Sequence, residues 1–470
     1  MTVTPARRAS QRLRTTFAAL RFPNYRLWAG ADLVSVTGSW MQTFAVSWYV
    51  LQATGSATSM GLAVLFQALP ALLLSLIGGG LADRLPARPL LVATQLIHAL
   101  FAVALAAIAW SDGTHVGLVY AIAAAGGLVS AVEGPVLGRF SSTMVDAATL
   151  PNAVALGSVI SSAGRILGMA SAGVLVAVAG PGPAFTANAV SFLGVIAALM
   201  LIRTDRLHAL TDGAQRVRPG VRAGLRYAAA QPVLLLTLGL ALVLGSLGRN
   251  YQVTMGAMSA GPLEAGASGY GVLSTAFAVG TVLGGLLAAS RAELGLRTLV
   301  GLGVVTSLLQ VTAGLAPSVA TMAAVIVPIA AGAVMIDTTV TTRVQLDSPG
   351  AMRGRVLGLA AAVSGASGAL GAPLLGYLCE LIGPRLTLGV AGSVTALACV
   401  AGGLALASRR GVKVRSSEVT LTLRAALGLP ARAPVTVTPT TVSPAAVASA
   451  AVAPAAVAPA AVSPAVTVSN

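Results

Sequence analysis

Apolar residues run along this chain in long blocks, each closed by a short charged or Gly/Pro-bearing segment. Such blocks occur at about 25–50, 57–81, 89–110, 116–138, 152–179 and 183–202. A polar stretch from Arg203 to Gln231 follows. Six more blocks come at about 232–256, 267–289, 297–315, 318–341, 356–381 and 385–407. A helix needs about 20 apolar residues to cross a hydrocarbon layer of ~30 Å, and these blocks have that length. The pattern predicts an all-α membrane protein with twelve transmembrane helices in two bundles of six. The predicted limits are a basic N-terminus 1–24, a first bundle 25–202, a central loop 203–231, a second bundle 232–408 and a tail 409–470.

Composition agrees with that pattern. Of 470 residues 56% are hydrophobic and only 9% charged, against about 25% charged in a soluble domain. The formal charge of +16 would suit nucleic acid, but no basic stretch is interleaved with the stacking aromatics that single-strand binders use. No nucleic-acid partner is expected. The start, MTVTPARRASQRLRTTFAALRFPNYR, is basic and amphipathic, and no small-residue cleavage site is read after it. Placing the N-terminus inside puts 26 of the 29 Lys and Arg residues in cytoplasmic segments. Arg385 falls outside, and Arg165 and Arg249 lie within blocks. A bias this one-sided predicts both termini in the cytoplasm of a plasma-membrane protein. Trp48 and Trp110 are then expected at the outer interface and Trp28 at the inner one. Cys379 and Cys399 lie in apolar blocks without metal spacing and read as small buried hydrophobes.

The two halves repeat one another. Gly168, Gly173, Gly180 and Pro181 recur as Gly371, Gly376, Gly383 and Pro384, each 203 residues later. Glu133 and Arg139 in block 4 share an acid-to-Arg spacing with Asp337 and Arg343 in block 10. A duplicated six-helix unit would put a substrate site between the halves, near the midplane. From Pro444 the tail reads PAAVASAAVAPAAVAPAAVSP. Its recurring prolines forbid a regular helix, so it is expected as a disordered or polyproline-like cytoplasmic extension.

Between blocks 2 and 3 stands GGLADRLPAR, with Gly79, Asp83, Arg84 and Arg88. This resembles the G-x-x-x-D-R-x-G-R-[RK] loop of the major facilitator superfamily, with Pro86 in place of the Gly and Ala87 in place of a basic residue. The resemblance covers roughly residues 20–408. FPNYRLWAGADLVSVTGSWMQ, GRILGMASAG, NYQV and VQLDSPGAMRGRVLGL are similar to stretches of the subgroup holding the enterobactin exporter and related drug efflux proteins. It implies a twelve-helix fold and alternating access. It also implies an inner gate in which Asp83 meets Arg139 and the start of helix 11, near Arg353 and Arg355. An aspartate suits a helix N-terminus, where unpaired N–H groups and the macrodipole lie. Independent solvated charges are the alternative. The span-5 antiport signature keeps its glycines at Gly168 and Gly173 but lacks its proline.

Ionisable residues inside a membrane are costly and mark function. Glu133, Asp337 and Asp32 are the candidate proton carriers, Glu133 first because it sits deepest. A structural ion pair is the alternative for each. Straight helices place Glu133 and Arg165 at different heights, which favours a titrating Glu133 over one locked to that arginine. Arg165, Arg249, Trp40, Gln42 and Tyr251 are the candidate substrate-cavity residues, with lipid or helix contacts as the alternative. His98, His115 and His208 are scattered, and no Walker loop, metal cluster or nucleophile elbow is read. An enzyme and a cofactor are not expected. The expected function is proton-coupled efflux of a small organic molecule, drug- or siderophore-like, by a monomer in the lipid bilayer. The alternatives are an uncoupled facilitator or lipid flippase, and a transport-dead membrane sensor or assembly protein.

Overall fold

The computed structural model describes residues 17–82, 86–208, 221–248, 250–291 and 295–409. The first six blocks become helices α1 (Pro23–Thr54), α2 (Ala57–Ala82), α3 (Ala87–Trp110), α4 (Val116–Ser142), α5 (Leu150–Ala179) and α6 (Gly182–Leu201). A short helix α7 (Val221–Ala230) leads into the second half. There follow α8 (Pro232–Gly248), α9 (Tyr251–Ala260), α10 (Gly266–Ala289), α11 (Leu296–Gly314), α12 (Val319–Leu346), α13 (Gly350–Ile382) and α14 (Pro384–Arg409). Helix ends fall where chain chemistry stops a helix. Gly55, Gly180 and Gly383 carry φ of 65°, 75° and 82°, a left-handed backbone that glycine adopts at low cost.

Two expectations are corrected. The block at 232–256 is two helices, because the chain breaks between Gly248 and Tyr251. The break is tolerated because its freed carbonyls find donors. Asn250 Nδ2 donates to the carbonyls of Gly245 (3.1 Å) and Ser246 (3.0 Å), and Gln310 Nε2 to that of Leu247 (2.9 Å). The second correction is that the central polar loop holds α7.

Among the described residues eleven segments, α8 and α9 counting as one, are long and apolar enough to span a bilayer. Helix α1 is not among them despite its 32 residues. Asp32, Ser35, Ser39, Gln42 and Thr43 depress its hydropathy, and all five face the cavity described below.

Packing repeats across the halves. In the first, α1 packs on α5 and α6, α2 on α4, and α3 on α6. In the second, α8 packs on α13 and α14, α10 on α12, and α11 on α14. The halves meet through α2 with α13 and α5 with α10, two contacts that exchange under the same correspondence. Both crossings are made by small residues, as close helix approach in lipid requires. A Cβ added at Gly173 would sit 2.5 Å from the Cα of Gly271. Gly376, one repeat after Gly173, abuts the backbone of Ala57. This is the two-bundle fold of major facilitator proteins.

The cores are unequal at the two ends. At the end holding the α1–α2 turn, residues of both halves form one cluster, including Phe44, Trp48, Met169, Met255, Tyr270 and Leu273. Tyr270 stacks on Phe44 with centroids 4.4 Å apart and on Trp48 at 5.9 Å. At the opposite end the halves keep separate cores. Trp28, Leu91 and Phe140 belong to the first, and Leu234, Leu299 and Val344 to the second. The tryptophan expectation is therefore corrected for two of three residues. Trp110 is 63% exposed, but Trp48 and Trp28 are buried because each packs into a core cluster. Cys379 and Cys399 are buried free thiols, as expected. Large apolar side chains such as Leu100, Val178 and Leu397 point outward. In water such a surface would aggregate; against acyl chains it is the solvent-matched face.

Candidate functional site

A cavity of about 540 Å³ lies among the helices of the first half. Six helices line it, α2 through Gln67, and most of its lining residues carry hydroxyl, amide or charged side chains. From α1 come Asp32, Ser35, Ser39, Trp40, Gln42 and Thr43, spaced so that one helical face points inward. Helix α3 contributes Gln95 and His98, α4 Glu133, α5 Ser161, Ser162 and Arg165, and α6 Asn188 and Phe192. The counterpart space in the second half, between Leu244, Thr306, Gln310 and Ile336, holds only about 10 Å³.

Glu133 is the most heavily engaged carboxylate. Its Oε2 lies 2.9 Å from His98 Nε2, and its Oε1 accepts a hydrogen bond from Gln95 Nε2. The imidazole is stacked on Phe192, ring centroids 5.5 Å apart, and meets Phe101 edge-on at 6.4 Å. Packing thus fixes the ring against the carboxylate. Both side chains are largely buried, 16% and 12% exposed. A carboxylate at such depth must be paired or protonated, and His98 and Gln95 are its partners.

Arg165 faces the same cavity from α5. Its Nη2 donates to Thr281 Oγ1 on α10, which links the two halves, and its Cζ lies 5.6 Å from the centre of the Trp40 ring. Its Nε is buried without an acceptor. Glu133 and Arg165 are not an ion pair. Gln42 Oε1 accepts from Asn188 Nδ2 at 2.8 Å, which ties α1 to α6.

Of the residues singled out in the sequence, the structure brings Asp32, Glu133, Arg165, Trp40 and Gln42 together. Tyr251 is elsewhere, buried in the shared core with its hydroxyl 3.5 Å from Gln310 Oε1. Asp337 is exposed on α12 and does not line the cavity. Asp83, Arg84 and Arg249 lie outside the described residues. Arg353 lies in the first turns of α13 and Gly79 near the end of α2. Arg88 donates to the carbonyl of Met200 at 2.6 Å, a contact within the first half that satisfies the end of α6. Arg139 stands in the last turn of α4. Arg355 Nη1 lies 3.4 Å from Met352 Sδ, with Nε buried and unpartnered. The sequence reading missed His98 and Gln95. Their signal was a spacing of three in an otherwise apolar block, which puts both on one face of α3.

A further polar contact joins the halves at the end of the shared core. Glu380, near the end of α13, accepts from Ser56 Oγ at 2.5 Å and from Thr58 N at 3.0 Å. Ser56 in turn accepts from Ser59 N at 2.9 Å. The first N–H groups of α2 are thus capped by its own serine and by a carboxylate of the other half.

A family model described as transmembrane secretion effector matches residues 14–426. The multidrug efflux pump Tap of Mycolicibacterium fortuitum is 26% identical over 385 residues, covering 76% of this chain and 89% of that protein. The staphyloferrin A transporter of Staphylococcus aureus is 29% identical over 166 residues, 35% of this chain and 42% of that protein. The crystal structure of the nucleoside transporter NupG superposes with a TM-score of 0.67 at 12% identity, covering 82% of this chain and 98% of that one. At that identity the likeness concerns the fold alone.

Proposed function

The chain belongs to the transmembrane secretion effector family of major facilitator transporters, and from that premise we propose that it exports a small organic molecule in exchange for protons. The observation that carries this reading is a polar cavity holding a buried Glu133–His98 pair. That cavity lies below a core shared by both halves at one end only. The excess of basic residues in loops at the other end would put the shared core on the outer side of the cell membrane. The conformation is then inward-facing, with the outer gate shut by the Tyr270 stack and the Glu380 contact.

Alternating access follows as a rocking of the two halves about the α2–α13 and α5–α10 crossings. Parting the outer ends breaks the Glu380 cap on α2. Closing the inner ends brings the loop bearing Asp83 toward the start of α13, the latch that the family resemblance implies. Proton binding at the Glu133–His98 pair removes a negative charge from the cavity, and its loss restores that charge. This gives the two protonation states different electrostatic relations to a bound solute, which coupling requires. A wall this rich in hydroxyl and amide groups favours a polar solute over a lipid tail. The name of one relative, a multidrug efflux pump, is consistent with the export direction.

The test is Glu133→Gln in proteoliposomes, assayed with siderophores, macrolides and lipophilic cations. Counterflow of the transported compound is expected to survive, whereas accumulation driven by a pH gradient is lost. A variant that still builds a gradient from ΔpH would remove Glu133 from the coupling role, and Asp337 would be tested next.

A further inference from the structure

Two charges in the cavity lack a counter-charge. Asp32 has no hydrogen-bond or ion-pair partner among the described residues, and Arg165 has no carboxylate partner there, only Thr281 and the face of Trp40. Glu133, by contrast, is already satisfied by Gln95 and His98. Uncompensated charge in a membrane interior is expensive, so such groups persist where something else supplies the missing partner.

The two sit at different depths. Trp40, under the Arg165 guanidinium, is eight residues from Asp32 on α1, about 12 Å along the helix. Arg165 therefore lies toward the closed end and Asp32 toward the open end. Between them the wall carries Ser35, Ser39, Ser161 and Ser162, donors and acceptors rather than apolar surface.

Taking this cavity as the substrate site, and so resting on the transport reading above, we propose that the transported solute is a zwitterion of about tripeptide length. Its carboxylate seats against Arg165 and Trp40. Its ammonium seats against Asp32, and its polar body bonds to the serines. A guanidinium receives a carboxylate through two parallel hydrogen bonds, which fixes the direction of entry as carboxylate first. Three extended residues span roughly 10 Å, of the same order as the rise of about 12 Å along α1 from Asp32 to Trp40. A lipophilic cation would leave Arg165 without its counter-charge and the hydroxyl groups unmatched.

The test is equilibrium binding to the purified full-length protein in detergent, with no gradient, followed by calorimetry. Probes are triglycine, triglycine amide, N-acetyl-triglycine and tetraphenylphosphonium. Triglycine is expected to bind roughly tenfold or more tightly than either capped analogue, each of which lacks one charge. In Arg165→Gln the preference for triglycine over its amide should vanish. In Asp32→Asn the preference over N-acetyl-triglycine should vanish. Each comparison is made within one variant, so a general loss of affinity or yield does not imitate the result. Arg165→Lys, which keeps the charge and loses the fork, should retain part of the preference. No binding of triglycine, equal binding of the capped forms, or preferences unchanged in the variants would overturn the assignment. Binding with the expected pattern but no ΔpH-driven export would sink the coupling reading and leave the site. Export of tetraphenylphosphonium without triglycine binding would do the reverse.

Discussion

Glu380→Gln is the sharpest probe of the outer gate. The wild-type carboxylate holds Ser56 Oγ and Thr58 N, one from each side of the α2 N-terminus. Glutamine keeps the shape and one acceptor oxygen, so the loss is the charge. Charge-assisted hydrogen bonds are worth about twice neutral ones, themselves about 1 kcal/mol. An anion at a helix N-terminus adds up to about 1 kcal/mol. The contact is solvent-exposed, so we discount the sum to about 1 kcal/mol. That is close to a fivefold shift toward the outer-open state. Cys379, next in the chain, is a built-in reporter. It is 5% exposed and clusters with Ala57 across the interface and with Val253 of its own half, so it should meet an impermeant thiol reagent only when the outer ends part. Cys399, inside the second half's own core, is the control. Labelling of Cys379 in intact cells should rise about fivefold, with Cys399 unchanged, as read by mass spectrometry. An unchanged Cys379 rate would deny Glu380 a gating role, and equal rises at both cysteines would indicate general loosening.

Other outcomes follow from the same geometry. Gly173→Ala places a methyl group against Gly271 at the α5–α10 crossing. Overpacking there should cost about 1–3 kcal/mol of outer closure, seen as faster Cys379 labelling and a lower melting temperature in detergent. A cysteine at Gly113, in the turn between α3 and α4, should label from outside intact cells, and one at Gly213 should not. External labelling at Gly213 would reverse the proposed orientation. Removing residues 416–470 should leave transport intact, whereas a sensor would lose its output.

Most of the fold was readable because membrane helices are specified by composition and length. Twelve blocks were read, and the observed ends differ by a few residues. The break after Gly248 was not readable, since what permits it is Asn250 and, 60 residues on, Gln310 supplying hydrogen bonds to α8. Trp28 and Trp48 were misplaced for a similar reason. A tryptophan near a helix end has the same local sequence whether it meets headgroups or a neighbouring helix. Within the site, Asp32, Glu133 and Arg165 stood out because a charge in an apolar block is rare. His98 did not, because histidine carries no fixed charge and its weight comes from Glu133, 35 residues away. Tyr251 was a cavity candidate for stacking and hydrogen bonding, but its helix turns it into the shared core.

On the function proposed above, a proton gradient drives this transporter through the Glu133–His98 pair. The most direct measurement is solute movement in proteoliposomes under an imposed pH gradient, with a protonophore control. Triglycine and the siderophore, macrolide and lipophilic-cation panel serve as solutes. Accumulation of a transported solute above its equilibrium level is expected, with collapse on adding the protonophore and proton movement in the opposite direction. Equilibration that never exceeds the external concentration and ignores the protonophore would contradict it.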